Sequence, residues 1–146
     1  MSEKKIEGII RGMVEALVKG DAEKALSFFT EDAVWVGNEG AFKGKEELKR
    51  YITWMVQGTQ DMKFTDAGIG IMVKGNKAVW EYILEGTIEG TRFGVPGVCV
   101  YEFSDEKIQQ HRAFSDRLSI GKQVTKGWFA EKVMRFILSR SERGLH

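Results

Sequence analysis

Lys107-Ile108-Gln109-Gln110-His111-Arg112-Ala113-Phe114-Ser115-Asp116-Arg117-Leu118 is the stretch on which the reading of this chain turns. Read as a strand with period two, it places Ile108, Gln110, Arg112, Phe114 and Asp116 on one side. Gln109, His111, Ala113, Ser115 and Arg117 fall on the other. The first side is the more apolar and is expected to face the interior, although it also carries a guanidinium and a carboxylate. Removing one partner of a buried ion pair typically costs about 3–5 kcal/mol, so charges placed there imply either a structural pair or a chemical site. On the same alternation His111 points outward, toward solvent or a dimer interface.

Three more strands are expected upstream of this one. Phe64 to Lys74 is followed by the two-residue turn Gly75-Asn76. The next strand alternates cleanly, with Ala78, Trp80, Tyr82 and Leu84 on one face and Val79, Glu81, Ile83 and Glu85 on the other. Gly86 to Gly90 closes it, Arg92 to Phe103 forms the third, and Ser104-Asp105-Glu106 turns into Lys107. Four strands at hairpin spacing predict an antiparallel meander.

Helices are expected before and after the meander, which makes the class α+β. Residues 2 to 19 space Ile6, Ile9, Ile10, Met13, Val14, Leu17 and Val18 close to helical period, and Gly20-Asp21 stops that helix and caps a short second one, Ala22 to Phe29. A brief strand, Ala33 to Val36, and a Gly-rich loop, Gly37 to Gly40, lead through Phe42-Lys43-Gly44 into a third helix of about a dozen residues striped by Leu48, Tyr51, Ile52 and Met55. The tail, Lys122 to Arg143, reads as one amphipathic helix. From Gly121 to His146 it holds six Lys or Arg against two Glu. That is read as a solvated basic face on a docked helix, the alternative being an anionic partner or membrane surface.

Composition bounds function. A chain of 146 residues with 42% hydrophobic and 29% charged residues suits one globular domain. A formal charge of +1 argues against nucleic acid. The one cysteine, Cys99, sits in an apolar run and reads as core. Two histidines and one cysteine make a zinc site improbable, so no metal and no cofactor are expected. No run approaches transmembrane length, and a soluble cytoplasmic protein is the expectation.

The segment Gly20 to Trp35, the element Phe42-Lys43-Gly44-Lys45-Glu46-Glu47-Leu48, and the strand Glu102-Phe103 leading to Ile108 and Asp116 resemble the nuclear transport factor 2-like superfamily. More narrowly, they resemble its SnoaL-like branch of polyketide cyclases and limonene epoxide hydrolases. The resemblance covers residues 1 to about 118, and its motifs specify fold better than reaction. It implies a curved antiparallel sheet around a cone-shaped apolar pocket, helices closing its mouth, and frequent homodimers. The domain is accordingly drawn as 1–120, with 121–146 a C-terminal helix of the same domain. The positions that carry catalysis in ketosteroid isomerases fall here on Met13, Gly37 and Pro96, so that mechanism is not expected, although Asn38 lies one residue from the missing base. The water-activating set of limonene epoxide hydrolases falls on Trp80, Tyr82, Trp35 and Gly37, leaving only the last-strand carboxylate, Asp116.

The resulting expectation is a pocket for a small apolar or aromatic molecule between Trp35, Trp80, Tyr82 and Phe114, with Trp54 nearby. Asp116 moves a proton in cofactor-free cyclisation, isomerisation or epoxide opening, and Arg112 orients it or stabilises developing charge. Two other readings stay open: a binding module without turnover, and a dimeric protein-interaction adaptor with a filled cone.

Overall fold

The structure is a computed structural model, and it describes residues 1–145. Helix α1 (Glu3–Val18) starts where the Ser2 side chain accepts from the Lys5 amide, satisfying one of the free amides of a first turn. Its buried stripe is Ile6, Ile10, Met13, Ala16 and Leu17, with Val18 left exposed. Asp21 caps α2 (Ala22–Leu26) by accepting from Lys24 N at 2.9 Å. Strand β1 (Phe29–Gly37) turns through Asn38-Glu39 into β2 (Gly40–Lys43), so the segment expected to be a loop is a hairpin. Helix α3 (Gly44–Gly58) follows.

The meander is present as β3 (Gln60–Lys74), β4 (Lys77–Ile88), β5 (Thr91–Ser104) and β6 (Lys107–Ser115). The sheet runs β2-β1-β6-β5-β4-β3, antiparallel except where β1 lies parallel to β6. It is curved and does not close, and α1 and α3 pack across its concave face, giving the expected α+β cone. Curvature has a visible source in β3. Between the pairs Asp66↔Tyr82 and Ile71↔Trp80 three residues are extra, and Gly68 and Gly70 take φ of 50° and 60° there. A Cβ on Gly68 would lie 2.1 Å from the Glu81 carboxylate, so the bulge needs glycine at this point.

Two expectations at the C-terminal end are corrected. The single helix from Lys122 to Arg143 is two, α4 (Arg117–Val124) and α5 (Trp128–Ser141), broken at Gly127 with φ 92°. Strand β6 also stops at Ser115, because Asp116 is the N-cap of α4 rather than a strand residue. No helix among the described residues is long and apolar enough to cross a membrane.

The larger correction concerns the faces of β6. Phe103 pairs with Ile108 but Glu102 pairs with Gln110, so Gln109 is an unpaired extra residue on β6. A one-residue bulge exchanges the two faces of the strand beyond it. Ile108 is buried before the bulge and His111, three residues on, is buried after it, at 2% exposure. Arg112 therefore projects from the outer face, where it donates to Glu102 at 2.9 Å and to Gln110 at 3.1 Å. The outward histidine and the inward Arg112–Asp116 pair do not occur.

Deleting Gln109 alone is expected to leave Ile108, Gln110, His111 and Arg112 alternating on their present faces, whereas deleting Gln109 and Gln110 together should turn Arg112 toward the cone at a cost of about 3 kcal/mol or more. Denaturant unfolding should show a large fall in midpoint for the double deletion and a small one for the single deletion, whereas equal midpoints would mean that the bulge does not set the faces of β6.

Candidate functional site

Residues of five strands, β1 and β3 to β6, and of the helices α1, α3 and α4 line a cavity of about 410 Å³. Trp35 comes from β1, Trp80, Tyr82 and Leu84 from β4, Cys99 and Tyr101 from β5, and His111, Ala113 and Ser115 from β6. Met13, Val14 and Leu17 of α1 and Tyr51, Trp54 and Met55 of α3 close it. A volume of this size is within the usual range for small-molecule sites, and its lining is mostly apolar.

The walls are held by polar contacts placed outside the cavity. Trp80 donates its indole N–H to Asp66 at 2.8 Å, and Asp66 takes both guanidinium nitrogens of Arg11 at 2.7 and 2.6 Å. Arg11 beside it holds the Asp66 carboxyl below the usual range. This bidentate pair ties α1 to the bulged region of β3 and fixes the Trp80 ring against Tyr82, with centroids 4.6 Å apart. Gly97, opposite Tyr82 on β5, leaves room for that ring, since a Cβ there would meet it at 2.6 Å.

At the mouth, Tyr51 donates to Glu39 at 2.7 Å, and Arg117 Nε lies 3.8 Å from the other Glu39 oxygen. Burial, and then the carboxylate, push the Tyr51 hydroxyl pKa up, so it stays protonated at neutral pH. Glu39 is the one carboxylate lining the cavity among the described residues, and Arg117 the one fixed cation. Asn38 donates to the Ser115 backbone carbonyl at 2.9 Å, fastening the β1–β2 turn to the end of β6.

The floor is different in character. The His111 ring lies 4.0 Å from Trp35 and 4.4 Å from Tyr101, and Phe29 stacks behind it at 6.2 Å. Burial among these rings, aided by the nearby Arg112 charge, lowers the imidazole pKa to about 3, so it is neutral at pH 7. Cys99 donates to Tyr82 at 3.5 Å, and burial raises its thiol to about 11. No group of three potential metal ligands comes together among the described residues.

The residues nominated from sequence separate into two sets. Trp35, Trp80 and Tyr82 are buried in the cavity wall, and Trp54 and Phe114 reach it from the rim at 55% and 46% exposure. Asp116 and Arg112 do not line it. The Asp116 side chain is exposed and accepts from the Ser119 amide at 3.0 Å as the cap of α4. The sequence reading missed Glu39, Tyr51, Tyr101 and His111. Tyr51 sits on the apolar stripe of α3, where a buried hydroxyl needs a partner, and that was the available signal for Glu39.

A model of the SnoaL-like domain family matches residues 10–111, and the chain belongs to that family. No curated protein matches it in sequence. Among solved structures, it is similar to a hypothetical protein of ketosteroid isomerase-like fold from Catenulispora acidiphila, in complex with trimethylamine. Identity there is 18%, with 79% of this chain and 90% of that one covered at TM-score 0.72. A protein from Jannaschia sp. proposed to be a SnoaL-like polyketide cyclase is 14% identical over 88% of this chain and 98% of that one, at TM-score 0.75. An NTF2-like protein of unknown function from Burkholderia pseudomallei is 17% identical over 86% and 100%, also at TM-score 0.75. Likeness at this identity establishes the fold, and function has to be argued from the site.

Asp116→Ala is expected to cost about 1 kcal/mol through loss of the α4 cap. Chemical denaturation checks the loss, and Trp fluorescence titration with a bound apolar probe checks that affinity stays unchanged.

Proposed function

We propose that this protein encloses a small, largely apolar molecule in the cone and moves a proton on it without a cofactor. The observation that carries this reading is the cavity of about 410 Å³, walled by aromatic rings, with a single carboxylate at its mouth and a neutral imidazole at its floor. Glu39, held by Tyr51 and facing Arg117, is the base or acid in this account, taking the role that the sequence assigns to Asp116. Cyclisation, isomerisation and epoxide opening each include a proton transfer that such a group can carry out.

The scarcity of charge inside the cavity favours a second reading, a binding module without turnover. The two differ in what Glu39 does. Binding draws on the walls, whereas chemistry draws on the carboxylate.

Naphthalene is expected to quench Trp fluorescence on binding, because Trp35 and Trp80 line the cavity. Ala113→Phe fills the space beside Cys99 and should weaken that affinity about tenfold or more. Equal affinity in the variant would contradict a ligand in the cone. In a screen of cyclisation, isomerisation and epoxide substrates, Glu39→Gln should cut turnover about 100-fold while leaving naphthalene affinity unchanged. Binding without turnover across the screen would favour the module instead.

A further inference from the structure

Among the described residues, four buried side-chain atoms have no hydrogen-bond partner: Trp35 Nε1, Tyr101 Oη, and both His111 ring nitrogens. Folded proteins pair about nine in ten or more of their buried polar groups, so orphans of this kind call for an explanation. These four come from three residues that all line the cavity, with the His111 ring against both of the others. They belong to one place, the floor of the cone. The Cys99 thiol lies beside Tyr101, but its single hydrogen goes to Tyr82 and its sulfur is a weak acceptor.

The chemistry of the set defines what would complete it. An indole N–H only donates, a phenol donates or accepts, and a neutral imidazole offers one donor and one lone pair. No charged side chain stands with them. The charged groups of the cavity, Glu39 and Arg117, are at the mouth. A carboxylate or ammonium driven to the floor would lose its hydration and meet no counter-charge, which is a heavy penalty. A carbonyl oxygen would accept from two of these donors, and a hydroxyl would in addition donate to the free imidazole nitrogen.

We infer that Trp35, Tyr101 and His111 form a subsite for an uncharged oxygen function, a carbonyl or hydroxyl, at the inner end of an otherwise apolar ligand. The inference rests on the reading of the cone as a small-molecule site. It fixes the direction of binding, with the oxygen at the floor and any charged group of the ligand left at the mouth beside Arg117. Burial keeps His111 deprotonated and raises the Tyr101 hydroxyl pKa well above its ordinary value, so the subsite stays neutral through the physiological range.

The test uses three matched probes at pH 7: 2-methylnaphthalene, 2-naphthol and 2-naphthoate, titrated by calorimetry. The hydroxyl should improve affinity about tenfold over the methyl group, and the affinity of the carboxylate should fall in Arg117→Gln. Tyr101→Phe and His111→Leu should each bring the affinity ratio of 2-naphthol to 2-methylnaphthalene toward one. Without ligand, Tyr101→Phe should keep or raise Tm, because it removes a buried hydroxyl with no partner stronger than the Cys99 thiol. Equal binding of 2-naphthol and 2-methylnaphthalene would overturn the subsite and leave the apolar cavity standing. Preferential binding of 2-naphthoate that persists in Arg117→Gln, or a lower Tm in Tyr101→Phe, would also overturn it. Failure of all three probes to bind would remove the cavity reading as well.

Discussion

The extra residue Gln109 on β6 is the constraint on which the rest depends. Side chains alternate along a strand, so a single unpaired residue decides which of two sets enters the cone. With the bulge, His111, Ala113 and Ser115 look inward and Arg112 looks out to Glu102. The neutral floor, the placement of the charges at the mouth and the aromatic contacts of Trp35 and Tyr101 all follow from that register. Parallel pairing of β1 with β6 carries it onward, since Trp35 lies opposite His111.

The division of labour between the two ends of the cavity has a physical logic. Near the mouth, Glu39 and Arg117 keep partial contact with water, so charge is tolerated there. At the floor the same charges would be too costly, and the polar groups present are ones that remain neutral when buried. Their lack of partners is a cost to the folded protein without ligand. Unsatisfied groups of this sort call for an explanation, and a partner that arrives from outside supplies one.

Much of the fold was legible in the sequence. The clean alternation of Trp80, Tyr82 and Leu84, the two-residue turn at Gly75-Asn76 and the stripe of α1 depend on local pattern, and each appears in the structure. The aromatic wall was readable for the same reason. The floor was not, because strict alternation was applied across a bulge that only the pairing of β5 with β6 reveals. The signal was present in another form: charges at Arg112 and Asp116 on a supposedly apolar face mark a register change as readily as a buried pair. Asp116 was also misplaced because a carboxylate ending a strand and one capping the next helix look alike in sequence, and Leu118 to Val124 have little amphipathic pattern to announce α4.

The most direct measurement is the pKa of His111, read from the imidazole resonances by NMR over pH 3 to 8. A buried, unpartnered imidazole on the inner face should stay neutral down to about pH 4 or below, in line with its lowering to about 3 by desolvation. A titration near 6.5, the ordinary value for an exposed histidine, would place His111 on the outer face and contradict both the register and the floor built on it.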